Sequence, residues 1–226
     1  MREFLQYVVD HKSPIDFIAF HAKGNPVVWE DHVRMGIHKH MRDIYVHLGI
    51  INEFPTLKHL PIVICESDPE GCAACSARYH PQNAYRNGPL YGAYLVESMM
   101  RTEEVASRAG LTIEGAVTWA FMFDGQPWFD GFRDLATNGV AKAVLNAMRM
   151  LGKLDGDRIE ATSSADLGLD AIIDAGVLGQ PDVGVAATRD DKGVSILVWH
   201  YHEDDVAGPD ADVTIRLAGV NGGRLT

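Results

Sequence analysis

Apolar and polar positions alternate along this chain in two periods, and their order is the first clue to architecture. A short apolar run, Ile15 to Phe20, starts after Pro14 and stops at His21. Such a run reads as a strand buried in a sheet. After the Lys23-Gly24-Asn25-Pro26 break, Val33, Ile37, Met41, Ile44 and Leu48 recur every three or four residues, predicting a helix with His38, His40 and Arg42 on its other side. Leu60 to Cys65 is a second strand-like run ending at Glu66. A loop rich in Cys, Pro, Gly and Asn follows, and helical spacing returns through Tyr91, Tyr94, Leu95, Met99 and Val105, with Gly110 as the stop. Ile113 to Phe123 predicts a third strand, and Val140, Val144, Leu145 and Met148 a third helix. Alternating strand and helix of this kind predicts a parallel sheet flanked by helices.

The ends differ from the middle. Met1 to Lys12 reads as an amphipathic helix, with Phe4, Leu5 and Val8 on one face, and lacks the apolar core and small-residue cleavage site of a signal peptide. Beyond Gly152, Val183–Thr188 and Val194–Tyr201 predict a hairpin across Arg189–Gly193, and Val213–Leu217 predicts a further strand. Leu167–Val177 gives no clear period. The reading is α/β for residues 1–152 and an antiparallel β-rich region for 153–226.

Composition narrows the function. A formal charge of −11, from 20 basic against 31 acidic residues, disfavours a phosphate backbone, so no nucleic-acid partner is expected. No apolar run reaches the roughly 18 residues that span a bilayer, so no membrane partner is expected either, and the expectation is a soluble chain of cytoplasm or periplasm. In each βα unit the polar residues gather just after the strand: His21 and Lys23, then Glu66 and Asp68, then Trp119 and Asp124. Parallel α/β folds build their sites at that end. Glu66 has two readings from position alone: a carboxylate nucleophile for an anomeric carbon, or a strand-end group capping the next loop. Trp119, flanked by Thr118 and Ala120, reads on its own as barrel core. Arg133 reads on its own as a partner of Asp130 or Asp134 across the loop.

Cys72-Ala73-Ala74-Cys75 opens another class, a zinc or redox site. It lies in a loop rather than at a helix start, and only Cys65 and His80 are near it in sequence. Free thiols or a local disulfide therefore fit better, and no metal or cofactor is expected. His38, His40 and His47, and the pair His200 and His202, lack carboxylate or Cys partners at fixed spacing and read as surface or interface residues.

The motifs together resemble one family. Leu60 to Cys75 (LPIVICESDPEGCAAC) resembles the strand-seven nucleophile region of glycoside hydrolase family 39, which contains β-xylosidases and α-L-iduronidases. Asp16 to Gly24 (DFIAFHAKG) resembles its strand six, and Ala116 to Leu145 its strand and helix eight in the bacterial xylosidase branch. Val198 to Leu217 is similar to its β-rich C-terminal region. The resemblance implies a retaining glycosidase with Glu66 as nucleophile, and His21, Lys23, Trp119, Asp124 and Arg133 as substrate contacts. It implies a small carbohydrate substrate, a xyloside or xylo-oligosaccharide, and no cofactor. Met122-Phe123-Asp124-Gly125 departs from the more acidic loop of the related enzymes.

One element of that chemistry is missing. The family places its acid/base Glu in an Asn-Glu-Pro motif at the end of strand four, and no such motif occurs. Asn52-Glu53-Phe54-Pro55 follows a helix and is rejected. The 226 residues hold three βα units, whereas a (β/α)8 barrel needs ~250 residues. The expectation is the C-terminal part of a TIM barrel followed by a β-rich region, requiring an N-terminal barrel portion from a further segment or another chain. A non-catalytic carbohydrate-binding or assembly fragment is the alternative.

Overall fold

The structure, a computed structural model, describes residues 1–219. Its elements in chain order are α1 (Arg2–His11), β1 (Ile18–Lys23), the hairpin β2 (Val27–Trp29) and β3 (His32–Arg34), α2 (Ile37–Asn52), β4 (Ile62–Asp68), α3 (Pro89–Ala109), β5 (Ile113–Ala116), the short pair β6 (Ala136–Thr137) and β7 (Val140–Ala141), α4 (Ala143–Leu151), β8 (Asp157–Ile159), α5 (Leu169–Ala175), β9 (Asp182–Arg189) and β10 (Val194–Tyr201). Two 3-10 turns, Pro55–Leu57 and Pro81–Asn87, precede β4 and α3. No helix among the described residues is long and apolar enough to cross a membrane.

The predicted parallel sheet is present in the order β1-β4-β5. Ile18, Phe20 and Ala22 of β1 and Ile62 and Ile64 of β4 are buried in the helical layer. There Ile37, Met41, Ile44, Leu48 and Ile51 of α2 form a continuous apolar stripe. Each such side chain adds about 1.5–3 kcal/mol by leaving water. On the other face of β1, Ala19 and His21 are exposed. Gly110 closes α3 in the left-handed conformation that a side chain would disfavour.

Four sequence expectations need correction. Val33 lies in β3, not in α2: Gly36, at φ 75°, turns the chain so that the helix starts only at Ile37. The third parallel strand ends at Ala116 rather than Phe123, because the chain leaves the sheet to bond the 131–133 loop, where the Phe121 amide donates to the Arg133 carbonyl. Val140 sits in β7 and is exposed, so α4 begins three residues later. Val213–Leu217 is not a strand. Its alternating Val213, Ile215 and Leu217 are all exposed, with no strand paired to them among the described residues, and the third strand of the antiparallel sheet β10-β9-β8 is instead Asp157–Ile159. The ambiguous 167–177 segment contains α5.

Two polar links join the antiparallel sheet to the helical layer. Arg101 of α3 bonds Asp182 of β9 at 2.9 Å and Glu97 at 2.7 Å, and Glu97 in turn accepts from the Trp199 indole of β10. Burial pushes the Glu97 carboxyl up to about 7, helped by Asp182 and opposed by Arg101. The second link is Glu203, whose carboxylate accepts from the amides of Gly36 (2.8 Å) and Ile37 (3.0 Å) at the start of α2. This satisfies helix donors that have no partner within the helix. Beside it, Asp204 pairs with Arg34 at 2.6 Å and bridges to it antiparallel.

Candidate active site

The C-terminal ends of β1 and β4 carry the candidate residues, and a bulge decides which side chains share their face. Ile18, Ala19 and Phe20 pair with Ile62, Val63 and Ile64, but His21 pairs with Glu66, leaving Cys65 as an extra residue. A bulge shifts the parity of the side chains beyond it. Glu66 and Asp68 thus stand opposite His21 and Lys23, and Ser67 turns into the helical layer with Ala22. Gly24 ends the His-Ala-Lys-Gly stretch because a Cβ there would lie 2.6 Å from the Tyr94 hydroxyl and 2.7 Å from the Pro69 carbonyl.

Lys23 is the hub. Its Nζ lies 2.6 Å from Glu66 Oε2 and 2.8 Å from Asp68 Oδ2. Lys23 and Glu66 are each 19% exposed, so both remain reachable from solvent. His21 Nδ1 lies 3.8 Å from the same Glu66 oxygen, with its ring 57% exposed. The hydrogen bond from Lys23 holds the Glu66 carboxyl below the usual carboxylate range, outweighing burial, with the charges of Lys23, His21 and Arg133 adding to it. Glu66 is therefore ionised at neutral pH.

Asp68 is fully buried and triply held. It accepts from Thr118 Oγ1 at 2.5 Å and Lys23 at 2.8 Å, and pairs with Arg133 Nη1 at 2.6 Å. Arg133, itself buried, pairs with Glu70 at 3.1 Å and donates to the carbonyls of Glu70 (2.6 Å) and Trp119 (3.2 Å). Glu70 also meets buried Arg86 at 2.6 Å. Burial alone would push the Glu70 carboxyl up, but Arg86 and Arg133 outweigh it and hold it low.

Trp119 leaves β5 beside this cluster. Its indole Nε1 donates to the carbonyl of Cys65 at 3.1 Å, and the ring is 49% exposed with Phe121 packed edge-on at 5.8 Å. The structure thus gathers His21, Lys23, Glu66, Trp119 and Arg133. Asp124 stands apart in an exposed turn, with no hydrogen bond or ion pair to the cluster among the described residues. Arg133 meets Asp68 and Glu70 instead of Asp130 or Asp134. Cys72 and Cys75 form a local disulfide and Cys65 is free, so the zinc and dithiol readings lose their thiols in this state. Among the described residues no group of three His, Cys, Asp or Glu is gathered to hold a metal ion. Glu53, rejected as an acid/base, pairs with Arg2 at the far end of α2.

His40 corrects the surface reading. It is fully buried, with Nδ1 2.9 Å from the Tyr94 hydroxyl and Nε2 3.0 Å from Ser67 Oγ, which ties the residue after Glu66 to both helices. The signal was its place three residues after Ile37, on the buried stripe. Burial pushes its imidazole down to about 3 from 6.5, with Asp43 opposing and Lys23 and Lys39 assisting. The neutral ring stabilises the fold fully above pH 6.5, and that contribution is lost as pH falls toward 3. Imidazole NMR should show no titration of His40 between pH 6.5 and about pH 4; a midpoint near 6.5 would contradict its burial.

Comparison with known proteins places the chain in a family. The family model for glycosyl hydrolases family 39 matches residues 1–225. No curated protein matches. Among solved structures, a GH39 β-xylosidase from Caulobacter crescentus is similar at 20% identity and TM-score 0.57, over 87% of this chain and 35% of that one. The GH39 enzyme from Xanthomonas axonopodis pv. citri is similar at 18% and 0.62, over 90% and 36%. A bacterial orthologue of human α-L-iduronidase is similar at 20% and 0.62, over 84% and 31%. At such identities the likeness is one of fold, and the chain spans about a third of the length of these structures.

Proposed function

Because the chain belongs to glycosyl hydrolases family 39, we propose that it carries the nucleophile half of a retaining glycosidase site, with Glu66 as the nucleophile. The observation that supports this best is the ionised Glu66 carboxylate, 2.6 Å from Lys23 on the open sheet face and near the half-exposed Trp119. A group kept ionised is suited to attack an anomeric carbon and unsuited to protonate a leaving group. In the proposed reaction Glu66 forms a glycosyl ester as the aglycone leaves, and water then cleaves that ester.

The proton donor to the aglycone, and the base for the water, is a second carboxyl about 5–5.5 Å from the first. We place it outside this chain, on the N-terminal portion of a (β/α)8 barrel of which residues 1–152 are the last βα units; residues 153–226 are the accessory β-rich region. Parallel sheets are normally covered on both faces. Here Ala19 and His21 are exposed, β1 and β5 are both edge strands, and a groove of about 490 Å3 lined by Phe4, Ile15, Phe17 and Phe20 runs along β1. Further strands laid on these edges would close the barrel.

In the glycone pocket His21 and Lys23 donate to sugar hydroxyls and Trp119 offers its ring face. Arg133 acts from behind, by fixing Asp68 and Glu70. Both Lys23 and Arg133 are already engaged by carboxylates, which favours a neutral pentoside over a uronate. The expected result is negligible hydrolysis of an aryl β-xyloside by the 226-residue chain alone, and turnover by a longer chain that adds the missing carboxyl. Clear turnover by the short chain would overturn the division of the site.

A further inference from the structure

We propose that the Cys72–Cys75 disulfide is a redox-sensitive clamp that holds the Lys23–Glu66 pair in place through Arg86, Glu70 and Arg133. The effect on hydrolysis rests on the nucleophile reading of Glu66, whereas the clamp itself stands on contacts alone.

The crosslink closes a tight turn whose carbonyls point at guanidinium groups. Arg86 donates to the Cys72 carbonyl at 2.7 Å and to the Cys75 carbonyl at 2.9 Å, and the Arg133 amide donates to the Ala73 carbonyl at 3.0 Å. The Cys72 amide donates to Glu70 at 2.9 Å. Within the turn itself the only backbone bond is a long one, Cys75 amide to Cys72 carbonyl at 3.4 Å. The covalent link therefore does most to keep those carbonyls convergent on buried Arg86.

From there the contacts are continuous. Arg86 pairs with Glu70, Glu70 with Arg133, Arg133 with Asp68, Asp68 with Lys23, and Lys23 with Glu66. The ring closed by the disulfide is short, so its entropic effect on overall stability is at the small end. Its effect is local: it fixes the turn that fixes the charges.

Cys72 is exposed and thus open to a reductant. A dithiol attacks through its thiolate, and the Cys72–Cys75 bond breaks through a mixed disulfide. Both cysteines leave as thiols, having taken two electrons and two protons, and the dithiol becomes a disulfide. The freed turn releases Arg86 and Arg133 from their carbonyls. Lys23 is then shared differently between Glu66 and Asp68, and Glu66 loses part of the hydrogen bond that keeps it ionised.

The test is a carboxyl-carbon NMR titration of Glu66 in the 226-residue chain, oxidised and after dithiothreitol. Thiol counting verifies reduction, and the His40 ring signal reports the packing of the helical layer. Reduction should raise the Glu66 midpoint, as expected for a weakened ion pair, with His40 unchanged. The Cys72→Ser/Cys75→Ser variant should reproduce the raised value and no longer respond to dithiothreitol. A Glu66 midpoint unmoved by verified reduction would overturn the clamp. So would a shift accompanied by titration of His40, since the disulfide would then support the whole fold. Neither outcome involves substrate, so failure here is distinct from failure of the glycosidase reading, which is decided by turnover after substitution of Glu66.

Discussion

Glu66→Gln, in a chain long enough to hold both carboxyls, is expected to lower aryl β-xyloside turnover by about four orders of magnitude or more, the scale seen when a nucleophile is removed from a covalent mechanism. The amide still accepts a hydrogen bond from Lys23, so the thermal midpoint should change little. An amide oxygen does not form the glycosyl ester, and no neighbouring group takes its place: Asp68 is buried behind Lys23 and Arg133. A sharper form of the experiment uses Glu66→Ala with azide. The anion fits the space of the lost carboxylate and attacks the same face, so the product should be a glycosyl azide of inverted anomeric configuration. Near-normal turnover by the Gln variant would refute the assignment. A glycosyl azide of retained configuration would do so too.

Arg133→Met should be the most damaging single change to stability. The guanidinium neutralises two carboxylates, Asp68 at 2.6 Å and Glu70 at 3.1 Å, and caps two backbone carbonyls. Met restores much of the volume but leaves Asp68 with Lys23 alone and Glu70 with Arg86 alone. Removing one partner of a buried ion pair costs about 3–5 kcal/mol. At about 2–4 °C per kcal/mol for a chain of this size, the thermal midpoint should drop by roughly 10 °C. Arg133→Lys should recover only part of it, because one ammonium does not span both carboxylates as the planar fork does. A loss of less than about 1 kcal/mol would mean that the cluster relaxes around the gap, and Arg133 would lose its positioning role.

Much of this site was legible from sequence because strand ends and residue types carry it. His21, Lys23 and Glu66 lie within two short apolar runs and their first polar neighbours, and the parallel order of the strands places them side by side. What the residues did not disclose was parity. Simple alternation from Ile62 and Ile64 puts Glu66 on the helix side, and only the bulge at Cys65 turns it outward. A bulge depends on the partner strand, so it leaves no mark in a single run of residues. Glu70, Arg86 and Thr118 escaped for a similar reason. They reach the cluster across loops, through contacts as distant in sequence as Glu70 and Arg133, separated by 63 positions. His40 was misread because its type outweighed its position. Val213–Leu217 failed in the opposite sense, having the right alternation and no sheet to join among the described residues.

The clasp of Glu203 on α2 has a consequence for how the molecule is made. α2 is a local element, yet the Gly36 and Ile37 amides at its start meet their acceptor, Glu203, only when the chain closes across 167 and 166 positions. Until then the helix start is answered by water alone, and β3 lacks the strand-like neighbour that Asp204 provides. This fastening is therefore a long-range closure, slow relative to local helix formation, between segments far apart in sequence. Removing the chain beyond residue 202 would spare every described helix and still leave the start of α2 unfastened.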